Sequence, residues 1–148
     1  MGRRQMTAGG ALAAVVLAAA GCGIGSSSAR TTTASFFQAF GEGNGREACS
    51  LIAPGGARRQ VLDALAQSEA QKAAARQGSC AEFARALPPK RKTLFGTVVV
   101  DPAPSSGGQT VTARFEKESG SPTVPYSVRL NERGGDWKLV SINSGGAP

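Results

Sequence analysis

The sequence predicts an α+β fold, with N-terminal helices laid on a four-stranded antiparallel sheet, and three observations carry that reading. Apolar residues recur at helical spacing from Phe36 to Leu87. The Pro88-Pro89 pair then interrupts the pattern, and beyond it the apolar period falls to two, with β-branched and aromatic residues taking over. The later connections are short and rich in Gly, Pro and Ser, which suits antiparallel neighbours. Helices first and strands second is the order of an α+β layout in which helices cover the dry face of the sheet.

The first residues stand outside that domain. Met1-Gly2-Arg3-Arg4 is a short positive region, and an uncharged apolar run of about 11 residues ends at Ala20. A membrane-spanning helix needs about 20, so the run has the length of a signal-peptide core. Ala19-Ala20-Gly21 are small enough for a peptidase to lie against the backbone before Cys22. Leu17-Ala-Ala-Ala-Gly-Cys22 resembles a bacterial lipobox, with Ala19 where leucine is most frequent. That resemblance implies cleavage before Cys22 and lipidation of its thiol. The other reading is an ordinary secretory signal cut nearby. Arg3-Arg4 is also the pair of a twin-arginine signal, but Gln5-Met6 does not continue that pattern, and the pair reads as plain positive charge.

Residues 1–21 are therefore expected to be a signal peptide and residues 22–32 a flexible tether, since Gly23 to Thr32 offers little to bury. The expected address is the outer face of a bacterial cell membrane, held through lipid on Cys22; each buried methylene contributes about 0.8 kcal/mol, and several chains hold durably. Residues 33–144 make one domain of ordinary size, and 145–148 a disordered tail.

Within the domain, Phe36, Phe37 and Phe40 share a helical face that Gly41-Glu-Gly-Asn-Gly45 ends. Asn44-Gly-Arg-Glu47 has capping-box spacing and opens a second helix with Ala48, Leu51 and Ile52 on one face, stopped by Pro54. The glycine cluster is a helix-to-helix turn and not a phosphate loop, because no strand precedes it and no Gly-Lys-Ser/Thr follows. A third helix is expected from Ala57 to about Ala75 on Val61, Leu62 and Leu65. Ser79-Cys-Ala-Glu82 caps a fourth, where Cys80, Phe83, Ala84 and Leu87 form one stripe.

Four strands are expected at about Thr93–Asp101, Gln109–Glu118, Thr123–Asn131 and Asp136–Asn143. Val111, Ala113 and Phe115 alternate with Thr112, Arg114 and Glu116; Val124, Tyr126, Val128 and Leu130 alternate with Pro125, Ser127 and Arg129. Each strand thus has one dry face and one wet face.

Lys and Arg number 17 against 10 acids; losing Arg3 and Arg4 leaves 15 against 10, an excess of +5. Arg58-Arg59 and Lys90-Arg91-Lys92 are the basic clusters, but neither is interleaved with aromatics, and an exported chain meets no genome. They read as a solvated face, and nucleic acid is excluded as a partner. With Cys22 lipidated, Cys49 and Cys80 remain as a pair, which outside the cytoplasm most often forms a disulfide. It would staple the second helix to the fourth. A metal or catalytic thiol site lacks support because the chain has no histidine; no metal and no cofactor is expected.

Phe36-Phe37-x-x-Phe40-Gly, Ala48-Cys-x-Leu51-Ile52 and the closing Gly134-Gly-Asp-Trp-Lys-Leu-Val140 resemble small secreted or lipid-anchored bacterial members of the nuclear transport factor 2-like superfamily, over roughly residues 31–143. The resemblance implies a curved sheet wrapped on the helices as a cone-like roll, whose mouth can hold a ligand. Gly96, expected inside the first strand, suits the kink such curvature needs. It also implies that pairing between copies through the open sheet face is available, giving a homodimer.

That superfamily holds isomerases, dehydratases and many non-catalytic binders, so the residues must choose. No motif matches a family base, and no catalytic residue carries over. Tyr126 is either a pocket donor or a core tyrosine with a wet tip. Trp137 either lines a ligand mouth or packs. Phe115, Tyr126 and Trp137 are the candidate pocket-lining residues, while Asp101 and Asp136 sit at strand ends where a carboxylate is simply soluble. The reading is a non-catalytic module binding a small apolar ligand or an envelope protein. The alternative is a small cone-fold enzyme of isomerase or dehydratase type working through Tyr126 and an acid on a hydrophobic substrate.

Overall fold

A computed structural model of the chain describes residues 26–102, 109–115 and 125–144. Cys22, the expected signal peptide and the expected tail at 145–148 lie outside the described residues, as do residues 103–108 and Glu116 to Val124. The described residues form six helices and one four-stranded antiparallel sheet: α1 (Ser26–Gly41), α2 (Gly45–Ser50), α3 (Ala57–Leu65), α4 (Glu69–Gln77), α5 (Cys80–Ala86), α6 (Pro89–Gly96), then β1 (Val98–Pro102), β2 (Gln109–Phe115), β3 (Tyr126–Arg133) and β4 (Asp136–Ser144). The strands lie in sequence order as a meander, and the class is α+β as expected.

α1 begins earlier than its phenylalanines suggest. It reaches back to Ser26, through residues 26–32 that composition marked as tether. Ala29 and Thr33 are fully buried one turn apart, ahead of Phe36, Phe37 and Phe40 on the same stripe, and the Thr33 hydroxyl donates to the Ala29 carbonyl at 2.9 Å. A run of small residues therefore carries apolar burial through alanine and a self-satisfied threonine. Gly43, at φ 77°, ends the helix; the amide of Asn44 donates back to the Ala39 carbonyl at 2.8 Å.

Of the two expected capping boxes the N-cap half forms at each, while the Asn44 and Ser79 amides donate to the Ala39 and Ala74 carbonyls and not to a glutamate. Asn44 and Ser79 each accept, through their side chains, the backbone N–H three residues on, from Glu47 and Glu82, at 3.2 Å. The expected single helix from Ala57 to Ala75 is instead two. It breaks at Ala66–Ser68, and Ser68 caps α4 by accepting from the Gln71 amide at 3.2 Å, while the buried Gln71 side chain accepts from the Gln67 N–H at 2.6 Å. That reciprocal bonding pins the break.

The start of the sheet also differs from expectation. Thr93 to Gly96 are helical, because Pro89 takes the first-turn position of α6 where its missing N–H is harmless. The first strand shortens to Val98–Pro102, and Gly96 closes a helix rather than kinking a strand.

The dry and wet faces segregate. Val100, Val111, Ala113, Phe115, Val128, Leu130, Leu139 and Ile142 are buried toward the helices. The opposite face carries Asp101, Thr112, Arg114, Ser127 and Arg129, with Arg114 donating to Asp101 at 2.6 Å and Val99 the one large apolar side chain exposed among the described residues. Leu139 and Ile142 are three apart yet share the inner face. The register explains this: Arg129 faces Ser141 and Leu130 faces Leu139, so Val140 is an extra residue, a bulge that resets the alternation and adds curvature. The free edge of β4 is covered where the chain leaves α2. Leu139 donates to the Leu51 carbonyl at 2.9 Å and accepts from Ala53 at 2.8 Å.

Cys49 and Cys80 form the disulfide, with Cα atoms 5.7 Å apart, and join α2 to α5.

Candidate functional site

The sheet and α1 define two ends of the molecule. Tyr126 pairs with Ser144 at the start of β3, and Trp137 pairs with Glu132 beside the Gly134-Gly135 turn, six residues farther along the strand. At about 3.3 Å per residue the two aromatics are roughly 20 Å apart. α1 runs between them, with Thr31, Thr32 and Ser35 against the hairpin tip and Phe37 against Phe115 and Tyr126. The three candidate pocket-lining residues are therefore not one group.

Phe115 and Tyr126 do meet, with ring centroids 5.8 Å apart. They belong to a cluster centred on Phe37, whose ring also lies 5.1 Å from Phe36, 5.1 Å from Phe115 and 5.3 Å from Phe95 in edge-on contacts. Phe115 is 6 % exposed, a core side chain that fills the roll. Tyr126 keeps its ring in this cluster, and its hydroxyl accepts a long 3.4 Å bond from Nη2 of Arg91.

Arg91 is the residue that sequence reasoning misplaced. The middle of Lys90-Arg91-Lys92 was expected on a solvated face, yet it is only 7 % exposed, with its guanidinium carbon 5.2 Å from the Phe95 ring centroid. Arg91 and Phe95 are one helical turn apart and both face inward, a spacing visible only once the segment is read as helix. Burial lowers the Arg91 pKa from the ordinary arginine value, with Tyr126 acting in the opposite sense.

Trp137 stands at the other end. It lines a cleft of about 370 Å³ with Thr31, Thr32 and Ser35 of α1, Leu51, and Gly135, Asp136 and Lys138 of the hairpin. The tight Gly134-Gly135 turn, with both φ positive at 60° and 87°, folds the strands back so that Asp136 is at the rim. Lys138 is fixed by donating to the Ser50 carbonyl at 2.6 Å. The indole Nε1 of Trp137 is buried and has no hydrogen-bond partner, and an unpaired buried donor is costly. A second cavity, of about 470 Å³ between α3 and α4, is lined mainly by Arg59, Gln60, Asp63 and Arg76 and contains no such orphan atom. The Trp137 cleft has the size of a small-molecule site, with the side chains of Thr31, Thr32 and Ser35 along one wall.

Asp101 is occupied by Arg114 on the outer face, and Asp136 is exposed at the cleft rim. Among the described residues no cluster of three His, Cys, Asp or Glu could hold a metal, and no helix is long and apolar enough to cross a membrane. Comparison with protein families, with characterised proteins and with solved structures finds no match to this chain.

Proposed function

We propose that this chain is a lipid-anchored extracytoplasmic protein of the cone-like, nuclear transport factor 2-like type, whose folded domain is a non-catalytic binding module working through the Trp137 cleft. The carrying observation is a cleft of ligand size between α1 and the β3–β4 hairpin, lined by Trp137 and by the hydroxyl side chains of α1. The hydroxyls of Thr32 and Ser35 and the rim carboxylate of Asp136 give an occupant polar partners beside the Trp137 ring. The Cys49–Cys80 bond supports an oxidising compartment, and the lipobox-like Leu17 to Cys22 supports the anchor.

A photo-crosslinking amino acid at exposed Asp136, irradiated in intact cells, tests the reading. The expected result is an adduct on the membrane-fraction protein that disappears when Ser35→Leu fills the cleft; its mass distinguishes a small ligand from an envelope protein. Irradiation that yields no adduct, or one indifferent to Ser35→Leu, overturns the assignment.

A further inference from the structure

The side chains that line the Trp137 cleft are a mixed set, and the mixture selects among ligand chemistries. Asp136 and Lys138 are its charged residues and have opposite signs, so an occupant meets no net charge from the walls. None of the ion pairs among the described residues includes Asp136, whose carboxylate stands exposed at the rim as an acceptor. Lys138 donates one of its three N–H groups to the Ser50 carbonyl at 2.6 Å, which fixes the ammonium and leaves two donors. Thr32 and Ser35, three residues apart on one face of α1, bring hydroxyls that both donate and accept. Trp137, half-buried, adds a flat aromatic surface.

We propose that the occupant of this cleft is a short neutral saccharide, an inference that rests on the Trp137 cleft being the binding site. Each hydroxyl of a sugar ring offers one donor and two acceptor positions. A row of such groups is answered by an acceptor-only carboxylate, a donor-only ammonium and two hydroxyls that do both. The ring hydrogens of a pyranose form an apolar, weakly positive patch, which suits the negative face of an indole. Other chemistries use less of the set. A purely apolar ligand strips water from Asp136 and Lys138 without replacing it, and an ion of either sign meets one like charge. A zwitterion matches the two charges and leaves the α1 hydroxyls and the indole face unused. At about 370 Å³ the cleft lies at the small end of ligand sites, which run from about 300 to 1,000 Å³. Thr31, Gly135 and Asp136 are exposed at its edge, so a longer chain can run outward from it.

The test uses full-length protein extracted in a polyoxyethylene detergent, which contains no sugar. Trp137 is the only tryptophan, so its fluorescence reports the cleft directly. The probes are cellobiose, maltose and N,N′-diacetylchitobiose, with cyclohexanol as the apolar control and glycine betaine as the zwitterionic one. A saturable change with at least one disaccharide, and none with either control, is expected. Asp136→Asn keeps the size of an exposed side chain and removes its charge; it should fold as wild type and bind that disaccharide about 10-fold more weakly. Ser35→Ala should bind it several-fold more weakly. A protein that ignores all three disaccharides, or responds equally to a control, overturns the saccharide, as does an Asp136→Asn, Ser35→Ala double variant that binds as tightly as wild type. A photo-crosslinker at exposed Thr31, which leaves Asp136 in place, separates this failure from that of the cleft itself. An adduct that Ser35→Leu abolishes, found together with no response to sugars, overturns the ligand class and leaves the cleft as a site; no adduct and no response overturn both.

Discussion

Gly45, the first residue of α2, lies so close to Cys80 that a side-chain carbon at this position would meet the Cys80 carbonyl group and fall 2.8 Å from the Cα of Ala81. Helices α2 and α5 therefore touch backbone to backbone one turn from the disulfide between them. Gly45→Ala has to push them apart. The expected loss is about 1–3 kcal/mol or more, the usual range for overpacking. Urea unfolding monitored by helical circular dichroism checks it, and a variant as stable as wild type would remove the close contact from the account.

Gly96 should behave in the opposite sense. A side-chain carbon there meets nothing within 4 Å, and its φ is not positive. As the last residue of α6, Gly96→Ala is expected to stabilise the fold by about 0.5–1 kcal/mol through helix propensity and a smaller unfolded ensemble. Were this residue a strand kink, the same substitution would destabilise, so the sign of the change in denaturant midpoint separates the two geometries.

The Cys49–Cys80 bond closes a loop with a sequence separation of 31. Chain entropy then assigns it about 3–4 kcal/mol. The Cys49→Ser, Cys80→Ser double variant should lose most of that, and dithiothreitol should lower the wild-type unfolding temperature toward the variant's while leaving the variant unmoved. Equal transitions with and without reductant would show that the bond contributes nothing.

Phe37 contacts Phe36, Phe95, Phe115 and Tyr126. Its truncation to alanine should cost about 3–5 kcal/mol, the range for large aromatic cavities. Tyr126→Phe, which keeps the ring and takes the Nη2 partner from the buried Arg91 guanidinium, should cost about 1–3 kcal/mol in the same denaturant experiment, less than the Phe37 truncation. Reversed magnitudes would mean that the hydroxyl, not the ring cluster, holds this end of the fold together.

What could be read from residues alone was whatever local chemistry decides. Asn44 and Ser79 were legible as caps because a side-chain oxygen three residues before an amide donor is a local relationship. The dry faces of β2 and β3 were legible because alternation is local too. Ser68-Glu-Ala-Gln71 and Pro89 carry the same kind of signal, and reading them would have split the third helix and displaced the first strand. By contrast, the burial of Ala29, the bulge at Val140 and the inward turn of Arg91 come from what packs against them across the fold. The candidate site divides along the same line. Trp137 was named, but Thr31, Thr32 and Ser35 join it only because α1 continues through the segment that composition marked as a tether.

Intact-mass measurement of the native protein extracted from membranes tests most directly the proposal of an exported, disulfide-bonded domain held to a membrane by lipid on Cys22. The account predicts a chain starting at Cys22, heavier than residues 22–148 by its acyl groups and two hydrogens lighter than the reduced form at Cys49 and Cys80. A native chain that retains Met1, carries no acyl mass and gains no hydrogens on reduction would contradict it.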